Sequence, residues 1–293
     1  MSDIPFCAAP DPNPHAPRFA MPANACDTHA HVFGPAAAYP YQANRGYTPP
    51  DALDTAYQAL HRTLGITRGV LTQPSVYGID NRRMLDAVAR QPDRLRAVAA
   101  VDGTVTDAEL RRLNAAGVRG IRVNLVDKGG MPFDSFDGVA RMADRIAALG
   151  WHLELLVHVH DYPDFARVMR ALPVDIVVGH LGYMRTSEGL DHPGFRSFLD
   201  LVGEGRCWVK LTAPYRISAQ PTVPYADVAP FARRLVETRP DRMLWGSDWP
   251  HVASKHAMPN DGDLLDLLAD WVPDVAMRAR ILVDNPVALY GFA

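Results

Sequence analysis

The sequence predicts a single (β/α)8 barrel. Short apolar runs alternate with amphipathic stretches, the alternation repeats eight times, and several of the apolar runs finish on histidine or aspartate. Strand then helix, repeated, is the pattern of a parallel sheet covered by helices. Eight repeats favour closure into a barrel over an open doubly wound sheet. No Gly-x-Gly-x-x-Gly turn follows the first apolar run, which argues against a dinucleotide-binding fold.

Residues 1–24 read as an irregular leader, because Pro5, Pro10, Pro12, Pro14, Pro17 and Pro22 block regular structure. The barrel then occupies residues 25–293. Its expected strands are Ala25–His31, Gly69–Gln73, Arg96–Val101, Gly120–Asn124, His152–Val157, Asp175–His180, Cys207–Leu211 and Met243–Asp248. Apolar residues at helical spacing fill the intervals: Asp51–Leu64, Asp80–Arg90, Thr106–Ala115, Phe136–Leu149, Tyr162–Ala171, Pro193–Val202 and Tyr225–Glu237. Asp263–Trp271 and Val275–Leu289 close the chain. No low-complexity tract or charge-block linker divides it, so one domain is the simpler organisation.

Composition bounds the function. The 293 residues are 48% hydrophobic and 22% charged, ordinary for a globular chain that buries a large core without staples. A net charge of -3 and the lack of a long Lys/Arg run argue against nucleic-acid binding. Cys7, Cys26 and Cys207 are too few, and odd in number, for a disulfide framework. No apolar run approaches the roughly 18 residues of a membrane span, and the leader lacks a signal-peptide core. These features read as a soluble, cytoplasmic protein. Assembly into a homo-oligomer is left open.

In a barrel the site lies at the C-terminal ends of the strands. The first strand ends in Asp27-Thr28-His29-Ala30-His31, where His29 and His31, two apart, share one side. Paired imidazoles are a common start to a divalent-metal site. The sixth strand ends at His180, and the eighth runs into Asp248. Closure makes the first and eighth strands neighbours, which brings Asp248 toward the histidine pair. A lone His-x-His is often surface chemistry, but here three separate strand ends carry a metal-type or acid/base residue. His158 and His160, at the end of the fifth strand, share a face as well. Trp245 and Trp249 flank Asp248, while Tyr77, Tyr183 and Tyr215 follow strand ends, where aromatic residues more often pack the rim than stack on a ligand.

These segments resemble the amidohydrolase-2 family. They are Asp27-Thr28-His29-Ala30-His31-Val32-Phe33-Gly34-Pro35, Gly179-His180-Leu181-Gly182 and Trp245-Gly246-Ser247-Asp248-Trp249-Pro250-His251. Thr72-Gln73-Pro74-Ser75, Gly117–Asn124, Val209–Arg216 and Asn285–Tyr290 add to the likeness, which is strongest to the branch of 2-pyrone-4,6-dicarboxylate hydrolase and related lactonases. The resemblance implies hydrolysis of a small anionic lactone, with Asp248 as general base and His29, His31 and His180 as its partners. It also implies substrate binding through Ser75, Arg122 and Arg216. Arginine suits such a substrate because its planar fork pairs with both carboxylate oxygens.

The match to that branch breaks at two positions. Lys128, in Asp127-Lys128-Gly129-Gly130, stands where the branch carries a further arginine, and Leu156 stands in place of a tyrosine. A muconolactone or a sugar-acid lactone is therefore expected over the dicarboxylated pyrone. Two options stay open for a cofactor. One is a divalent metal, zinc or manganese, held by His29, His31, His180 and Asp248 with His158 or His160. The other is a metal-free site. A metal-dependent decarboxylase of the same superfamily is the alternative activity, and a barrel that only binds is the alternative class.

Overall fold

The computed structural model describes residues 4–293, so Met1–Asp3 of the expected leader lie outside the described residues. Eight strands form one parallel sheet in chain order: β1 Cys26–Ala30, β2 Arg68–Thr72, β3 Leu95–Ala99, β4 Val118–Asn124, β5 His152–Leu156, β6 Ile176–Val178, β7 Cys207–Leu211 and β8 Met243–Trp245. Ladders run from β1–β2 through β7–β8. The ring closes just beyond the ends of β1 and β8. There the Asp248 amide donates to the His29 carbonyl at 2.8 Å and the His31 amide to the Trp249 carbonyl at 2.8 Å. The barrel and the existence and order of all eight strands agree with the sequence reading, while β6 and β8 end earlier than expected.

Helices cover the outside: α1 Asp54–Leu64, α2 Arg82–Arg90, α3 Asp107–Ala115, α4 Phe136–Ala147, α5 Phe165–Arg170, α6 Pro193–Gly203, α7 Ala229–Thr238, α8 Asp261–Trp271, α9 Val275–Ala279 and α10 Asn285–Tyr290. Helices α1, α2, α5 and α7 begin two to four residues later than the periodicity suggests, and for α1 and α5 the cause is visible. Residues 51–53 are held extended by Ala52, which exchanges backbone hydrogen bonds with Phe33. Tyr162 precedes Pro163, and the proline ring disfavours a helical conformation there. The last expected helix, Val275–Leu289, is divided by a π turn at Arg280–Asp284. Pro286 cannot donate an amide and its ring crowds the preceding turn, so the wider turn relieves it.

Side chains fill the barrel in layers. Cys26, Val70, Val98, Val177, Trp208 and Leu244, one from each of six strands, cluster with Tyr290 and Phe292 from the chain's end. A charged pair lies nearer the other mouth, and the histidine–aspartate group lies above it. The register shift between Asp27 and Ala30 belongs to this arrangement. Asp27 accepts from Tyr57 of α1 and from Ser247, on the outer side of β1. Gly246 lets β8 lie against β1. A methyl there would stand 2.7 Å from the His29 amide nitrogen and 2.8 Å from its Cβ. Residues 4–24 hold no helix and only one bridge residue, Phe6. They are fastened by Cys7 to Thr48 and by Arg18 to Asp266.

Candidate active site

The sequence reading ends the sixth strand on His180 and the eighth on Asp248; in the structure both residues instead sit just past the ends of β6 and β8. Their backbones adopt left-handed conformations, with φ of 52° and 63°. That conformation is costly for residues other than glycine and is found where surrounding structure overrides it, often at functional sites. It takes both residues out of the ladder, so their side chains reach the barrel axis. His29 and His31 arrive from β1. All four residues are buried.

Asp248 is the hub. Its Oδ1 lies 3.4 Å from His29 Nε2 and 3.8 Å from both His31 Nε2 and His180 Nε2. Among the described residues neither Asp248 Oδ1 nor His29 Nε2 has a hydrogen-bond partner, although both are buried. The other oxygen, Oδ2, is fully engaged. It accepts from the Tyr215 hydroxyl at 2.6 Å and from Arg216 Nε at 2.9 Å. Tyr215 is also 3.1 Å from His251 Nδ1, and His251 Nε2 is 3.1 Å from Asp261 of α8. One carboxylate oxygen is thus fixed and the other left open among imidazoles.

The electrostatics follow from burial and two arginines. Burial opposes ionisation of Asp248. Arg216 foremost, then the three histidines, nonetheless holds its carboxyl well below the usual range. Burial pushes His31 down to about 4, aided by the Arg122 charge. Burial pushes His180 to about 3, with Arg216 and Arg122 contributing. Burial, then Lys210, lowers His29 well below its ordinary value. Near neutral pH the site therefore holds an ionised carboxylate and neutral imidazoles, the states a general base and its partners require.

Each imidazole is oriented from behind. His31 Nδ1 lies 2.7 Å from the Thr72 carbonyl, which only accepts, so Nδ1 carries the proton and Nε2 offers a lone pair. His180 Nδ1 lies 2.6 Å from Thr212 Oγ1. His29 Nδ1 meets Lys210 Nζ at 3.1 Å and Glu154 Oε1 at 3.4 Å. Lys210 and Glu154 are joined at 2.6 Å, and Lys210 holds Glu154 below the usual carboxylate range against the effect of burial.

The donor set fits one divalent ion in type and convergence. Ligand atoms of His29, His180 and Asp248 all lie within 4.8 Å of one another, and the orphaned Asp248 Oδ1 and His29 Nε2 face inward. Neither strand-five histidine joins this group, contrary to one expectation. His158 Nδ1 lies 3.1 Å from the Tyr183 carbonyl, and His160 Nε2 lies 3.7 Å from Asp161.

The expected substrate residues divide. Arg122 is buried, is tied to the Gln73 carbonyl at 2.8 Å, and lines a cleft with Ser75, Asn124 and Gly130. Arg216 is not a free anion clamp, because its fork is committed to Asp248 Oδ2 and the Val252 carbonyl. Lys128 is exposed on the loop after β4. Leu156 is buried. Trp249 stacks on Tyr57 with ring centroids 5.5 Å apart, a packing role.

Sequence reasoning missed Tyr215 as a partner of Asp248, and missed Glu154, Lys210, Thr72 and Thr212. A signal was present for two of them. Glu154 in Leu153-Glu154-Leu155 and Lys210 in Val209-Lys210-Leu211 are opposite charges embedded in apolar strands. Charges there are tolerated only when paired.

The amidohydrolase family model matches residues 26–292. The chain belongs to the amidohydrolase family. This amidohydrolase is 42% identical over 288 residues to a 2-pyrone-4,6-dicarboxylate hydrolase of Comamonas testosteroni, covering 95% of this chain and 93% of the relative. It is also 42% identical over 294 residues to a 4-sulfomuconolactone hydrolase of Rhizobium radiobacter, covering 98% and 97%. Among solved structures, a probable 2-pyrone-4,6-dicarboxylic acid hydrolase of Acinetobacter baumannii, with citric acid bound, superposes with a TM-score of 0.80. That match has 28% identity over 92% of this chain and all of the other. No helix among the described residues is long and apolar enough to cross a membrane.

Proposed function

We propose that this amidohydrolase is a lactonase that opens a small anionic lactone by general-base activation of water. One observation carries the reading: Asp248 keeps Oδ1 open toward three imidazoles while Tyr215 and Arg216 fix Oδ2. A water seated at Oδ1 gives up a proton to it as the oxygen attacks the lactone carbonyl; when the tetrahedral adduct collapses, the ring C–O bond breaks and the proton held by Asp248 passes to the leaving ring oxygen. His31 Nε2, with its lone pair, orients that water. Imidazole N–H groups facing the carbonyl oxygen stabilise the charge that develops there. Arg122, beside Ser75 in the neighbouring cleft, binds the substrate's acidic group, and Lys128, exposed on the loop after β4, adds a looser charge. Residues 25–293 form the catalytic unit and residues 1–24 its leader.

The relatives' names support this substrate class, since one acts on a dicarboxylated pyrone and another on a sulfonated muconolactone. If a divalent ion such as zinc or manganese occupies the cluster, Asp248, His29, His31 and His180 would hold it, and it would supply Lewis-acid polarisation of the carbonyl. The decarboxylase alternative relied on a strand-five ligand, and nothing in the site favours it.

The test is a panel of carboxylated and sulfonated lactones, each paired with its neutral analogue and followed by acid release. Acidic members should be hydrolysed with kcat/KM tens-fold above their analogues, the loss expected when a buried charge has no partner. Equal rates across pairs would remove the anionic specificity, and inertness toward the whole panel would remove the lactonase reading.

A further inference from the structure

The mechanism above leaves one buried pair without a task. Lys210 and Glu154 lie within β7 and β5, 0% and 2% exposed, beneath His29. A buried ion pair is weak evidence for stability, because apolar residues of like volume often serve as well. Its position suggests a different use. His29 Nδ1 is contested by Lys210 Nζ at 3.1 Å and Glu154 Oε1 at 3.4 Å. The two contestants demand opposite protonation. An ammonium has three protons and no acceptor, so it can only donate to a bare Nδ1, and the ring proton then sits on Nε2. A carboxylate can only accept, so it requires Nδ1–H and leaves Nε2 bare.

We propose that Lys210 is a positioning residue whose buried ammonium fixes His29 in the tautomer that carries its proton on Nε2, aimed at Asp248. The lysine is the nearer contestant, and Glu154 Oε2 holds it in place at 2.6 Å. The three imidazoles are then not equivalent. His31, whose Nδ1 faces the Thr72 carbonyl, presents a lone pair. His29 presents an N–H on the Asp248 side, 3.4 Å from Oδ1, which leaves the lone pair of His31 to face water. A metal ion needs the His29 Nε2 lone pair and can have it only if the ring proton moves from Nε2 to Nδ1, where Glu154 Oε1 at 3.4 Å accepts it. The Lys210–Glu154 pair thus sets the balance between a hydrogen-bonding site and a metal-binding one. The proposal rests on the reading of His29 and Asp248 as site residues but not on lactone hydrolysis, so its test avoids that readout.

Nitrogen NMR of chelator-treated protein labelled at histidine distinguishes an N–H ring nitrogen from a bare one, with His29 assigned by its loss in His29→Gln. The wild type should show bare Nδ1 and protonated Nε2. A protonated Nδ1 overturns the proposal outright, with no variant needed. Lys210→Met should move the proton to Nδ1, facing Glu154, and Glu154→Gln should leave it on Nε2. An unchanged Nε2–H in a folded Lys210→Met protein would mean that Asp248 alone sets the tautomer, which also overturns the assignment. Zinc titration by calorimetry should show Lys210→Met binding tighter by on the order of tenfold, the scale on which residues behind a ligand alter affinity. Equal zinc affinity would overturn the link to metal binding.

Discussion

At the residue scale, Asp248, Arg216 and Arg122 play different parts, and kinetics should separate them. Asp248→Asn is nearly isosteric and should fold. It loses the general base, which typically contributes about 10²–10⁴-fold, so kcat on the best lactone should fall by at least that range. Turnover within a few-fold of wild type would remove Asp248 from the role. Arg216 touches Asp248 Oδ2, so Arg216→Ala should act mainly on kcat. Arg122 faces the neighbouring cleft, so Arg122→Ala should act mainly on KM. Each loss should reach tens-fold, since removing one partner of a buried charge pair costs about 2–5 kcal/mol. Steady-state kinetics on a carboxylated lactone checks the split, and matching effects from the two variants would contradict it. The residues legible in the sequence were those that punctuate an apolar run at its end: His29, His31, His180 and Asp248. Tyr215 and Arg216 were harder to place, because a loop residue's partner 32 or 33 positions away is set by how two loops fold over the barrel.

At the scale of elements, all eight strands were readable from apolar patterning, and the errors concentrate at their ends. The strand reading carried β6 to His180 and β8 to Asp248, whereas the ladders stop at Val178 and Trp245. Patterning cannot report a turn to positive φ in a residue that is not glycine, because tertiary contacts impose it. Glu154 and Lys210 look like interruptions of their strands until β5 and β7 are placed across one lumen. The contact between β1 and β8 gives a sharper test. Gly246→Ala places a methyl against the His29 backbone and Thr212 Cγ2. Overpacking of this kind typically costs about 1–3 kcal/mol. Thermal unfolding should show a lowered Tm, and activity at permissive temperature should fall too, because the group displaced is His29. A variant with wild-type Tm and activity would show that the strands have slack there.

At the scale of the whole molecule, several histidines are buried in neutral form, and this couples stability to pH. His152, beneath the site and edge-on to Tyr290, is pushed by burial to about 4, as is His31, and His180 to about 3. These values lie below the roughly 6.5 of an unfolded histidine, so between the two the unfolded chain binds more protons. The stabilisation is complete above about pH 6.5 and is lost as pH falls toward 4. At about 1.4 kcal/mol per unit, His152 alone contributes on the order of 3 kcal/mol. Denaturant titrations across that window should show the decline, and His152→Phe should flatten it. An equal slope in both proteins would exclude His152 from the effect. The closure of the ring carries a consequence of another kind. The amides of His31 and Asp248 supply backbone hydrogen bonds that join the first and last strands, so these two strands must meet before base and imidazoles are neighbours. Amide exchange with deuterium should find these two protons among the slowest in the protein, released only by opening of the entire ring. A nascent chain would accordingly gain its chemistry in one step, at the moment its final strand docks.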